Sequence, residues 1–106
     1  MNNKLQSTVS LCRRAGKLQL GFDQVKEAVE GGDVKAVFVS ADLSEKSKKE
    51  VAFFCGKKAV PVGILPLTKE EIKAVVGKGS GVLAVTEEGF AKNFLSQSQP
   101  LPPRED

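Results

Sequence analysis

Histidine is absent from this chain, as are tryptophan and tyrosine. Without histidine, the commonest general base and metal ligand is missing. Cysteine is scarce, with only Cys12 and Cys55. They are isolated and fall on apolar stripes, so neither a zinc site nor a Cys–His pair is available. Two thiols are also too few for a disulfide framework. In a reducing compartment both read as buried small hydrophobes. The acidic pairs Glu70-Glu71 and Glu87-Glu88 fall at helix starts, where dipole complementation explains them better than acid–base work. A non-enzyme is expected, with no cofactor and no metal.

Long apolar runs are missing too. None approaches the ~20 residues needed to span a bilayer. The opening Met-Asn-Asn-Lys-Leu-Gln-Ser has no apolar signal-peptide core. A cytoplasmic protein without a membrane partner is expected.

What remains is sufficient for one folded unit. The 106 residues favour a single domain, and a hydrophobic content of 41% is enough for a core. The net charge of +3 is a weak signal by itself, but its distribution is uneven. Lys4, Arg13, Arg14 and Lys17 precede any acidic residue, and the stretch from Asp23 to Asp33 is net acidic. A local basic patch beside an acidic surface suggests a docking face. The plain alternative is a solvated helix face.

Helix and strand signals alternate along the chain. Residues 3–15 read as a helix with Leu5, Val9 and Cys12 on one side, and Gly16 as its terminator. Leu18–Leu20 is a short strand, and 22–30 is a helix with Phe22, Val25, Ala28 and Val29 facing inward. The continuous apolar run Ala36–Ser40 fits a central strand covered on both faces. A helix spans Asp42–Lys58, with Val51, Phe54 and Cys55 buried. Val60–Leu65 is a strand with Pro61 near its start. Thr68-Lys-Glu-Glu71 matches a capping box, with Ile72, Val75 and Val76 following on a short helix. Gly77–Gly81 is a flexible loop, Val82–Thr86 a fourth strand, and Glu87–Ser96 a last helix. This alternation predicts a three-layer α/β/α sandwich over residues 1–96. The segment 97–106, with Pro100, Pro102 and Pro103, is expected to be a mobile tail.

The densest block runs from Leu11 to Ala28. A basic helix end (Arg13, Arg14, Lys17) leads into a short strand. Gly21 then opens a helix whose first turn carries Asp23 and Gln24. A glycine at a helix entry lets another backbone approach, and the free N–H groups of a first turn suit a phosphate. Arg-Arg-Ala-Gly-Lys followed by Gly-Phe-Asp-Gln-Val resembles the bacterial YlxQ-like branch of the kink-turn-binding ribosomal protein superfamily (the L-seven-Ae and L-thirty-e proteins). The likeness continues through Ala36–Ser40, Asp42–Lys49, Val60–Leu67, Gly77–Gly81 and Val82–Leu95. It implies a mixed four-stranded sheet and a non-catalytic RNA-binding role. The partner would be ribosomal RNA or another kink-turn-containing RNA, with ribosomal proteins as further candidates.

The resemblance also implies a site. The matching helix start carries Gly-x-Asn-Glu-x-x-Lys, whose polar side chains read guanines of sheared G·A pairs. Here the positions are Gly21, Phe22, Asp23, Gln24 and Glu27. Asp23 accepts but cannot donate, Gln24 does both, and Glu27 reverses the charge of the lysine. Lys26, one residue earlier, points to a different face but could partly compensate. The plain alternative gives Gly21 a tight turn and Asp23 a dipole role. The matching loop packs on a nucleotide flipped out of the kink. Val75 and Val76 would supply apolar contact, Gly77 and Gly79 close approach, and Lys78 charge. A flexible connector is the alternative. A nucleotide-binding P-loop is excluded, because Gly77-Lys-Gly-Ser80 lacks the spacing and runs from helix to strand.

Among the basic residues, Lys17 is the first choice for a phosphate contact because it lies past the turn, nearer Gly21. Arg14 and then Arg13 follow, the two standing about 100° apart on a helix. Lys46, Lys48, Lys49, Lys57 and Lys58 interleave with Glu45 and Glu50 and read as a solvated, ion-paired helix face. A second function stays open: the same fold with altered reading residues, Asp23, Gln24 and Glu27, would be a protein-interaction module of the translation machinery.

Overall fold

The computed structural model describes residues 3–101. Helix α1 (Asn3–Arg14) leads into β1 (Leu18–Leu20), α2 (Phe22–Glu30) and β2 (Ala36–Val39). Next come α3 (Glu45–Lys57), β3 (Val62–Ile64), α4 (Lys69–Val76), β4 (Val82–Val85), α5 (Glu88–Ser96) and β5 (Gln99–Pro100). The sheet order is β1-β4-β2-β3-β5, with only β2 and β3 parallel. That parallel pair is joined through α3, as a parallel connection requires a crossover.

The central strands β2 and β4 are buried along their whole length, and their alternate side chains feed two cores. Ala36, Phe38, Leu83 and Val85 face α1, α4 and α5, where Leu5, Val9, Ile72 and Phe94 meet them. Val37, Val39, Val82 and Ala84 face α2 and α3, where Val25, Val29, Val51 and Phe54 close the second core. The period-two alternation of strand side chains divides the apolar residues in this way. The result is the expected three-layer α/β/α sandwich. Cys12 lies in the first core and Cys55 in the second. Burial pushes both thiols up to about 12, with Glu87 adding to the effect at Cys12.

The sheet has five strands where four were expected. The extra strand is Gln99–Pro100, which pairs antiparallel with β3. The Leu101 N–H donates to the Val62 carbonyl at 2.9 Å. Two features allow this pairing. Pro100 lies in an edge strand, where a missing N–H is tolerated. Gly63 leaves room for Ser98, into which a Cβ would collide. The segment expected as a mobile tail therefore starts with a strand, and its residues 102–106 lie outside the described residues.

Helix α3 starts at Glu45 rather than Asp42, because Ser44 is its N-cap and accepts from the Ser47 N–H. Asp42 instead accepts from the Lys69 N–H at the start of α4. The capping box read at Thr68 is present, with Thr68 and Glu71 each bonded to the other's backbone.

Candidate nucleic-acid interface

Strand β1 is three residues long, and its two ends lead to different surroundings. At its far end, Gly21 adopts φ 101° and ψ 143° as the N-cap of α2. Side-chain-bearing residues rarely take that conformation. A Cβ built there would meet nothing within 4 Å, so the space over Gly21 is open. Gly21 offers no capping side chain. Among the described residues, no acceptor meets the N–H groups of Phe22, Asp23 and Gln24. Three unsatisfied amides at the positive end of a helix dipole suit an anionic partner.

The Gly21 N–H itself is not free. It is shared between the Val82 carbonyl at 3.2 Å and the Ser80 hydroxyl oxygen at 3.0 Å. Ser80 Oγ also accepts from the Val82 N–H at 3.2 Å and donates to the Val82 carbonyl at 2.9 Å. The hydroxyl is buried, so each of these bonds matters more than it would in water. Ser80 thereby fastens the loop after α4 to the start of α2. Gly21, Gly79, Ser80 and Lys69 share one open groove of about 500 Å³, with Phe22 and Glu50 at its α2–α3 side.

The sequence-predicted residues separate into groups. Gly21, Phe22 and Gly79 come together in this groove. Asp23, Gln24 and Glu27 are exposed on α2, with Glu27 four residues from Asp23 and three from Gln24 and so a neighbour of each. Lys26 turns toward α3 together with Phe22 and Glu30, so it does not stand in for the lysine missing at Glu27. Phe22 is half-buried and packs edge-on against Phe54, centroids 5.6 Å apart. Its ring is therefore a wall of the second core as well as of the site. Gly77 caps α4 in the left-handed conformation, and Lys78 beside it is exposed. Val75 and Val76 are half-buried and packed against the first core, which leaves only part of their surface for a partner.

Arg13, Arg14 and Lys17 lie at the other end of β1. The Lys17 carbonyl accepts from the Thr86 N–H at 3.0 Å, whereas Gly21 meets Val82 at the opposite end of the same ladder. The nearness of Lys17 to Gly21 along the chain thus becomes a separation of about 13 Å along the strand. Lys17 acts electrostatically on Glu87, with no ion pair between them among the described residues. The N–H groups of Phe90 and Gly89, with Lys17 as a further cause, hold that carboxyl below its ordinary range. The cation that lines the Gly21 groove is Lys69, and neither it nor Ser80 was singled out from the sequence. A serine inside a glycine loop carries no pattern, and Lys69 reads only as the first residue after a helix cap.

The order of the elements finds a counterpart in known proteins. The chain matches the Ribosomal protein L7Ae/L30e/S12e/Gadd45 family over residues 3–95 and belongs to it. The family is one of non-catalytic proteins. More particularly, the chain is 34% identical over 89 residues to RNA-binding protein YlxQ of Enterococcus faecium, covering 84% of this chain and 85% of that one. It is 25% identical over 88 residues to large ribosomal subunit protein eL30 of Aeropyrum pernix, covering 81% and 87%. A solved structure of a protein with unknown function from Bacillus halodurans superposes with a TM-score of 0.79 at 29% identity. That match covers 89% of this chain and 95% of that one.

Proposed function

We propose that this chain binds structured RNA without catalysis and favours a kinked, internally looped conformer. The observation that carries this reading is the junction at Gly21. An open, uncapped helix start stands beside a glycine loop, and one buried hydroxyl joins the two. The uncapped amides would hold a phosphate, and Gln24 would reach a base edge. The Gly77–Gly81 loop would meet the extruded nucleotide. A kink opens the deep groove that regular A-form RNA closes to side chains. Binding would shift the RNA population toward the bent form. Ribosomal RNA or another kink-turn-containing RNA is the partner class and the cytoplasm the compartment. The names of the YlxQ and eL30 relatives support RNA as the ligand.

The test is binding to a short kink-turn RNA and to a version lacking its G·A pairs, across a salt series. Selective binding that Gln24→Ala removes is the expected result. Equally weak, salt-labile binding to both RNAs would refute it and favour a protein-interaction module. Asp23 and Glu27, two exposed acids on the reading face, are what support that second reading.

A further inference from the structure

A second groove, of about 460 Å³, runs between α2 and α3. Its apolar wall is aromatic: Phe22 and Phe54 form the edge-on pair, and Phe53 stands 36% exposed. Lys57 Nζ lies 4.5 Å from the centroid of the Phe53 ring. Lys26, Lys49 and Lys58 complete the basic rim, against Glu30 and Glu50. Among the described residues, none of these four lysines is in an ion pair. Lys48 is different, since it is paired with Glu45 at 3.7 Å. The lysines of α3 therefore do not form one ion-paired face. Lys49 and Lys57 turn to the groove instead.

Four cations over two acids call for an anionic occupant. An exposed aromatic ring among lysines is the arrangement on which nucleic-acid bases stack while phosphates are neutralised beside them. The groove also adjoins the first, because Phe22 and Glu50 line both. We infer that the α2–α3 groove takes a single-stranded RNA segment that leaves the Gly21 site, with a base replacing the Lys57 ammonium on the Phe53 ring and Lys49, Lys57 and Lys58 as phosphate contacts. This inference rests on the RNA-binding reading above.

The test keeps the two sites apart. The ¹⁵N-labelled chain is titrated with a mixed-sequence single-stranded RNA hexanucleotide, with a blunt kink-turn RNA, and with that RNA carrying six unpaired nucleotides at each end. The hexanucleotide and the extended RNA are expected to shift the amides of Lys49, Phe53, Lys57 and Lys58. The extension should tighten binding about fivefold or more, the worth of one stacked base. Phe53→Ala should return the extended RNA to blunt-RNA affinity, and Phe53→Trp should keep the gain. Phe53 is exposed, so an unchanged melting temperature will show that Phe53→Ala is folded. Shifts at Gly21–Gln24 with blunt RNA, but none at Lys49–Lys58 with either single-stranded probe, would overturn the groove assignment and leave the helix-start site standing. Hexanucleotide shifts in the groove without any blunt-RNA shifts would support the groove while removing the helix-start site. An acidic amphipathic peptide that shifts the groove amides where the hexanucleotide does not would assign the groove to a protein partner and overturn the proposal.

Discussion

Lys17 and Gly21 flank β1 four residues apart, and the two ends of the strand are built on opposite principles. At the Lys17 end, charge is carried by long exposed side chains, and Lys17 already acts on the Glu87 carboxylate. At the Gly21 end, the useful groups are backbone amides fixed by a left-handed glycine and a buried hydroxyl. Mobile charges attract any polyanion, and salt weakens that attraction. Fixed amides and short side chains discriminate, because their positions are set before the partner arrives. Affinity and selectivity should therefore come from different ends of one short strand.

The largest way to break this division is Gly21→Val. A β-branched residue at φ 101° costs ~1–3 kcal/mol in strain and fills the open space above the helix start. Kink-turn affinity should fall at least about tenfold, read by titration, with a lower midpoint in chemical denaturation. Ser80→Ala should come next. It removes the side-chain acceptor of the Gly21 and Val82 N–H groups, a loss of ~1–3 kcal/mol where a buried donor is left short. The loop should loosen from α2, seen as faster amide exchange at Gly21 and Val82 together with weaker selectivity. Gly21 keeps its bond to the Val82 carbonyl, which limits the damage.

Lys17→Gln sharpens the comparison from the other side. Affinity for kinked and straight RNA should fall together. The slope of log affinity against log salt should become shallower by about 0.7–0.9, the share of one neutralised phosphate. A change in the selectivity ratio would argue against the division. The smallest effect concerns acid stability. The Glu87 carboxyl is held low by the N–H groups of Phe90 and Gly89 and by Lys17. A depressed folded-state value means the stabilisation is present above the unfolded-state pKa and is lost as pH falls through the folded one. Glu87→Gln should thus be less stable than the native chain at neutral pH. The two should converge at acid pH, as thermal melts across pH will report.

Much of the fold was legible because its signals are local. The Thr68–Glu71 cap, the apolar run at Ala36–Val39 and the helical periodicities each depend on neighbours within a few residues. β5 was not legible. Gln99-Pro100 has no strand propensity, and it pairs only because β3 leaves an edge beside Gly63. The helix-start position of Gly21 was readable from the pattern around it. Its partner Ser80 was not, because a hydrogen bond across 59 positions leaves no trace in spacing. Sequence nearness also misled at Lys17, since a strand carries its ends apart at about 3.3 Å per residue. The lysines of α3 looked alike in sequence, and only packing against α2 distinguished Lys49 and Lys57, in the groove, from Lys48.

The most direct measurement is the ratio of affinities for kink-turn RNA and for the same RNA without its G·A pairs. It should be taken for the native chain, Gln24→Ala and Lys17→Gln at one salt concentration. A ratio well above one in the native chain, collapsed by Gln24→Ala and kept by Lys17→Gln, is the predicted result. A ratio near one in the native chain, or one that survives Gln24→Ala and falls with Lys17→Gln, would contradict the assignment of selectivity to the Gly21 end.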